Sequence, residues 1–346
     1  MAGLAQNRGA THWRDALRRA LDRRQALAAG VERAFRAFSG IADGVDGVFV
    51  DVYGPGAVLI VYEGRPPAAF DPADAAAVAL ELLRPIGVRA VYLKPFAKDR
   101  SRLGGALPPV VTQPTPAAGD ALPEAILVRE AHWQLEVRLY DGLSTGLFLD
   151  QRDNRAFVHD SIARHAARGN TSAPAPPAVL NTFAYTCAFS VAAAVAGAVT
   201  TSVDVSARYL DWGRRNFAHN GLDPAAHWFA KMDTFEFFAY ARRKGHSYDL
   251  IVLDPPSFGS GSKKKGVRPW SAEADYARLV SEAAALLRPR GAIVASTNTA
   301  ALCRPGQFER AILKGLGRPP RWIDLPPAPA DFAREADRFA ALAFRL

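Results

Sequence analysis

A doubly wound α/β sheet preceded by a smaller α+β domain is the architecture this sequence predicts, and three observations carry it. From about residue 146 onward, short apolar runs alternate with helical segments, the pattern of a parallel sheet with crossover helices. Residues 31–145 instead hold a hairpin signal and a single helix between β runs. The 346 residues exceed what one hydrophobic core ordinarily takes in, so about two domains are expected.

Residues 1–30 read as an N-terminal helix, with Trp13, Leu17 and Leu21 at i, i+4 spacing on an inward apolar stripe. In residues 31–145, strands at 47–52 and 57–62 flank the turn Tyr53-Gly54-Pro55-Gly56. An Ala/Leu helix at 72–83 and a β run at 88–93 follow. Five prolines within 104–123 predict an exposed loop. In residues 146–346 a helix starts near Gln151, and a Pro-rich loop at 165–177 leads to the first buried strand, 178–183. Further strands are expected at 198–205, 228–231, 250–253 and 292–296, with helices near 187–196, 206–220, 234–243, 272–287 and 305–315. Two last β candidates, 322–325 and 340–346, bring the sheet to seven strands.

Hydrophobic residues make up 49% and charged residues 22%, which excludes a wholly disordered, collagen-like or coiled-coil chain. Lys+Arg 43 against Asp+Glu 34 gives a net charge of +9, so polyanions such as nucleic acid are favoured partners. Cys187 and Cys303 are too few for a disulfide framework, and neither they nor the seven histidines show metal-ligand spacing. No apolar run approaches the ~18 residues of a membrane span. A cytoplasmic protein without membrane or metal, monomeric or homodimeric, is the expectation.

In an open α/β sheet, ligands bind outside the carboxyl ends of the strands, so the residues just after each strand are informative. After the first strand, residues 181–190 form a turn of mostly small residues that lacks GxGxxG, which argues against a dinucleotide pyrophosphate and so against a nicotinamide dehydrogenase. Asp204, 21 residues beyond Phe183, stands where a carboxylate accepts from ribose hydroxyls, or caps a helix. Asp233, after the third strand, offers an acceptor for an adenine amine, or again an N-cap. After the fourth strand comes Asp254-Pro255-Pro256-Ser257-Phe258, where two prolines remove backbone donors and leave carbonyls to grip a planar amine beside Asp254.

These stretches, together with residues 146–155 and Ser202-Val203-Asp204-Val205-Ser206, resemble the bacterial class I S-adenosylmethionine-dependent methyltransferases that include large-subunit ribosomal RNA cytosine-C5 and guanine-N7 enzymes. The resemblance implies a Rossmann-like seven-stranded methyltransferase sheet, S-adenosyl-L-methionine as cofactor and RNA, ribosomal above all, as partner. It places Phe183, Tyr185 and Thr186 at the methionine end of the cofactor, Asp204 at the ribose and Asp233 at the adenine. Gln151 and Arg152 close the site, Arg152 as partner of the cofactor carboxylate. Asp254, Pro255, Pro256 and Phe258 form the catalytic turn. The extra N-terminal RNA-binding module of some relatives has no counterpart in residues 1–30.

Two departures matter. Cys187-Ala188 replaces the family's paired glycines, which predicts a narrower space at the first helix. After the fifth strand the chain reads Ser296-Thr297-Asn298-Thr299, where cytosine-C5 enzymes carry a nucleophilic cysteine needed for covalent addition at C6. Methylation of a base nitrogen, with Asp254 orienting the acceptor or taking its proton, is therefore expected. Lys263, Lys264, Lys265 and Arg268 are expected to meet backbone phosphates, and Trp270 to stack an unpaired base. A small-molecule or protein acceptor, or a non-catalytic RNA binder with a decayed pocket, are the alternatives.

Overall fold

The computed structural model describes residues 2–30, 34–97, 107–167, 175–259, 269–333 and 338–346. The chain divides into two compact units, Met1–Leu149 with Pro329–Arg334, and Asp150–Ala328 with Glu335–Leu346.

The first unit is built on a sheet of order β1 (Ala34–Ser39), β2 (Val48–Tyr53), β3 (Gly56–Tyr62), β4 (Ala90–Phe96) and β5 (Ala118–Gly119). The predicted hairpin forms, with Tyr53 opposite Gly56 and Gly54 at a φ of +56° in the two-residue turn. Such a turn needs backbone that a side chain resists. β3 and β4 run parallel, which requires a crossover, supplied by α2 (Pro72–Leu83). Its start follows from local chemistry: the Asp71 carboxylate accepts from Ala73 and Asp74 amides, and Pro72 takes the first helical position. Helix α1 (Ala2–Arg23) lays Trp13 and Leu17 into the core beneath this sheet, as the apolar stripe predicted.

Where it is described, the 104–123 stretch is largely exposed as expected, but it places Val111 and Leu122 in the interior and adds the two-residue β5 as an edge strand on β4. Proline spacing marked the irregular backbone but hid the two apolar anchors between the prolines. A separate hairpin, β6 (Ile126–Glu130) and β7 (Trp133–Val137), follows. The late segment around Asp331 joins this unit because the Asp331 carboxylate accepts from the Arg36 amide at 2.8 Å and Phe332 lies 4.4 Å beneath the Arg36 guanidinium.

The second unit begins with α3 (Arg152–Ala167) and continues β8 (Ala178–Thr182), α4 (Ala188–Val195), β9 (Val199–Asp204), α5 (Ala207–His219), β10 (Trp228–Lys231), α6 (Thr234–Lys244) and β11 (Tyr248–Leu253). A short ladder pairs β12 (Phe258–Gly259) with β13 (Trp270–Ser271). Then come α7 (Ala272–Ala284), β14 (Leu287–Thr297), α8 (Gln307–Leu316), β15 (Arg321–Ile323) and β16 (Ala340–Arg345). Among the described residues the sheet has seven strands in the order β10-β9-β8-β11-β14-β16-β15. The first five are parallel, and β16 inserts antiparallel between β14 and β15. The central strands are apolar on both faces because helices cover both, with Leu180, Ile251, Leu253 and Ile293 in one core layer and Val179, Val252 and Val294 in the other. The order reverses between β8 and β11, which opens the crevice at their carboxyl ends.

Candidate active site

The turn after β8 does not coil directly into α4. Phe183, Tyr185 and Cys187 take φ of +52°, +50° and +62°, so three alternate non-glycine residues sit in the left-handed region. Each costs about 1 kcal/mol, and the surroundings hold them there. The Asp204 carboxylate accepts from the Tyr185 amide at 2.9 Å and from the Ser206 amide at 2.8 Å. Asn216 on α5 donates to the Thr186 carbonyl at 2.9 Å, and Asn181 donates to Ser190 at 2.9 Å. Asp204 therefore does not cap α5; Ser206 does, accepting from the Tyr209 amide. Burial pushes the Asp204 carboxyl up, against the pull of the Ser206, Tyr185 and Val205 amides.

Asp233 does cap α6: its Oδ1 accepts from the Phe235 amide at 2.9 Å and the Glu236 amide at 3.3 Å. Both bonds fall on one oxygen, so Oδ2 lies outside the cap and both readings of this residue are compatible. Cys187 does not crowd the crevice as its place in the motif predicts. Its sulfur is fully buried against Gly213 of α5, where a side chain would overlap it. Burial pushes that thiol up to about 12, which removes it as a nucleophile at neutral pH.

At the end of β11, Asp254 is fixed by a relay. Asn154 donates to Gln151 Oε1 at 2.8 Å, Gln151 Nε2 donates to Ser296 Oγ at 2.8 Å, and the Ser296 hydroxyl donates to Asp254 Oδ1 at 2.7 Å. Burial raises the Asp254 carboxyl, opposed by the hydrogen bonds of Ser296 and Gln151 and by the charge of Arg155. Behind it the fully buried Tyr276 hydroxyl reaches the Leu253 carbonyl at 3.2 Å and the Ser296 carbonyl at 2.8 Å, locking β11 to β14. Ser296 and Tyr276 carry this geometry, and neither was singled out as a functional residue by the sequence. A serine in an apolar strand and a tyrosine on a helical stripe both read as packing.

The proline turn corrects one expectation. The Pro256 carbonyl is not open to a ligand, because Trp270 Nε1 donates to it at 2.6 Å. The Trp270 ring packs 5.7 Å from Phe183 and 5.9 Å from Phe235, so its indole ties the loop after β11 to the turns after β8 and β10. Pro255 is buried, Pro256 exposed, and Phe258 stands 74% exposed. Ser257 donates to Asn298 at 2.8 Å and accepts from Thr299 at 3.0 Å, while Cys303 donates to the Thr297 carbonyl at 3.6 Å. Arg152 is buried at the start of α3, its Nε 3.7 Å from Asp153. Lys263, Lys264, Lys265 and Arg268 lie outside the described residues. Among the described residues no cluster of metal ligands occurs, and no helix is long and apolar enough to cross a membrane.

The donor set suits a nucleoside without phosphate. One carboxylate ends β9 and another follows the neighbouring β10 by two residues, and the turn at residues 183–190 carries no charged side chain for a pyrophosphate. Three comparisons agree. The chain is 39% identical over 269 residues to YwbD of Bacillus subtilis, provisionally named a ribosomal RNA large-subunit methyltransferase, covering 78% of this chain and 61% of that one. It is 36% identical over 254 residues to ribosomal RNA large-subunit methyltransferase K/L of Chromohalobacter salexigens, covering 72% and 31%. The chain thus spans less than two thirds of the length of either relative. The solved structure of SMU.776, provisionally described as a methyltransferase and complexed with S-adenosylhomocysteine, matches with a TM-score of 0.80 and 31% identity, covering 98% of this chain and 82% of that one. Residues 118–315 match the S-adenosylmethionine-dependent methyltransferases, and with more than half its length so matched the chain belongs to that family.

Proposed function

We propose that this chain methylates a base nitrogen of ribosomal RNA in the cytoplasm, using S-adenosyl-L-methionine. The observation that carries the reading is the Gln151–Ser296–Asp254 relay, which leaves a partly buried, oriented carboxylate at the catalytic turn and uses a hydroxyl near the end of β14 to hold it. When bound, the cofactor supplies an electrophilic methyl group on a sulfonium. Asp204 accepts from its ribose hydroxyls and Asp233 Oδ2 from its adenine amine; Phe183, Tyr185, Thr186 and Arg152 take the methionine end. Val205, 64% exposed between Asp204 and Ser206, and Phe235 beside Asp233 add apolar surface for the base.

Asp254 orients the acceptor nitrogen and, where that nitrogen carries a hydrogen, accepts the proton it loses. Pro255, Pro256 and the exposed Phe258 wall the acceptor, and Trp270 braces that wall. Lys263, Lys264, Lys265 and Arg268 grip the strand. Cytosine-C5 transfer is disfavoured because Thr297 Oγ1 accepts from the Thr299 amide at 3.1 Å and no base lies beside it in the described residues. The relatives' names supply the ribosomal substrate, and the net charge of +9 suits it.

The test is methyl transfer from labelled S-adenosylmethionine to ribosomal RNA, followed by digestion to nucleosides. Label in a methylguanosine or another N-methyl base, retained in a Cys303→Ser variant, is the expected result. Label in 5-methylcytidine, lost in that variant, overturns the assignment.

A further inference from the structure

The amino edge of the seven-stranded sheet, opposite the edge that carries the candidate site, holds a band of positive charge. Helix α6 ends there in Arg243 and Lys244, β14 enters through Arg290, and β16 leaves through Arg345 beside Arg321 of β15. All five are exposed, and among the described residues none of the five forms an ion pair. The nearby acids are already matched: Asp249 with Arg288 at 2.7 Å, and Glu282 with Arg278 at 2.8 Å and Arg242 at 3.5 Å.

Complementing the α6 dipole explains cations in its last turn but does not reach Arg290, Arg321 or Arg345. The last two are direct cross-strand partners in an antiparallel pair, an arrangement that like charges disfavour. A polyanion in front of them relieves that repulsion. Arg288 Nε donates to Ser247 at 3.3 Å and ties the loop after α6 to β14. From β11 to β15 the band crosses three strand spacings, about 15 Å. Trp228, which opens β10 on the same side of the sheet, is 36% exposed and lies beside the last turn of α6, with the Tyr240 and His246 rings each 5.7 Å away. An aromatic face beside unmatched guanidiniums is the chemistry that holds a single strand of nucleic acid.

We propose that this amino edge is a second contact for the RNA strand, binding its phosphodiester backbone through Arg243, Lys244, Arg290, Arg321 and Arg345 and stacking an unpaired base on Trp228. The proposal rests on the reading of RNA as substrate. β11 separates the two edges by six residues, about 20 Å, so the strand engaged here is flanking sequence and not the methylated base.

The experiment compares the full chain with an Arg290→Gln/Arg321→Gln/Arg345→Gln variant, titrating fluorescein-labelled oligouridine by anisotropy across a series of salt concentrations. Calorimetric binding of S-adenosylhomocysteine reports an intact fold. The expected result is at least tenfold weaker RNA binding, with the slope of log K on log salt smaller by about 2, since each lost phosphate contact removes about 0.7 for a single strand. An Arg243→Gln/Lys244→Gln variant repeats the measurement without touching β15 or β16, and a smaller drop in slope, about 1.4, is expected. RNA affinity and slope unchanged in both variants overturn the second contact and leave the RNA reading standing. Failure of the unaltered chain to bind oligouridine at low salt overturns the RNA reading, and this proposal with it.

Discussion

The sulfur of Cys187 fills the space that a side chain on Gly213 would need. One residue sits in a left-handed turn after β8, the other in the middle of α5, and the missing side chain at Gly213 makes room for the cysteine. Gly213→Ala is therefore expected to destabilise the second unit by about 1–3 kcal/mol through overpacking. Cys187→Gly/Gly213→Ala should recover most of that loss, since it empties the space that the new methyl group needs. Urea denaturation of the four-member cycle checks this, and simple additivity would show that the two positions do not compete for space.

Asp204 holds the turn after β8 through the Tyr185 amide and faces the crevice from the end of β9. Asp204→Asn keeps its size while removing the charge. Loss of charge-assisted hydrogen bonds of about 1.5–3 kcal/mol predicts S-adenosylhomocysteine binding weaker by roughly 10–100-fold, read by calorimetry. An affinity within twofold of the unaltered chain would remove Asp204 from the cofactor site.

The order of the second unit was legible because its signals are local and redundant. Apolar runs gave strands such as Trp228–Lys231 without error, and Asp233-Thr234 announced the helix that follows it. The carboxyl-end motifs named the strand ends that matter. What stayed hidden are relationships between distant positions. Gly213 answering Cys187, Trp270 bonding the Pro256 carbonyl, and Ser296 joining Gln151 to Asp254 are each set by packing across 14 to 145 residues of chain, which no window on the sequence contains. The same limit applies to Val111 and Leu122, whose burial depends on a sheet to which their own proline-rich segment contributes a two-residue edge strand.

The Ser296 hydroxyl stabilises the ionised form of Asp254, whose carboxyl burial holds above the ordinary range. Removing that donor in Ser296→Ala raises the Asp254 pKa further, because the charged form loses a partner while burial remains. A methyl transfer that uses the carboxylate fails as pH falls through this pKa. The acid limb of the kcat/KM profile should thus move to higher pH in Ser296→Ala, with the plateau at higher pH little changed. Gln151→Ala should move it in the same direction by less. An acid limb that stays in place in both variants would mean that another group governs it.

Lys94 lies in the interior of the first unit, 1% exposed, with its ammonium donating to the Leu143 carbonyl at 3.3 Å and the Ser144 carbonyl at 3.2 Å. Burial lowers its pKa from 10.5 to about 7, against the opposing pull of Asp141 and Asp51. Below about pH 7 the amine is charged in both the folded and the unfolded chain, and the folded state carries the full cost of burying the charge. Above that the folded amine is neutral while the unfolded one still binds a proton. The unfolded state then binds more protons, so stability rises with pH by roughly 1.4 kcal/mol per unit until the unfolded lysine also titrates. Lys94→Met keeps the length and removes the charge, at a pH-independent loss of the two carbonyl contacts. Relative to the unaltered chain, its stability advantage should be greatest below pH 7 and shrink steadily toward pH 9. Urea denaturation of the first unit's transition at several pH values reads this, and a difference that is flat with pH would show that Lys94 is charged throughout.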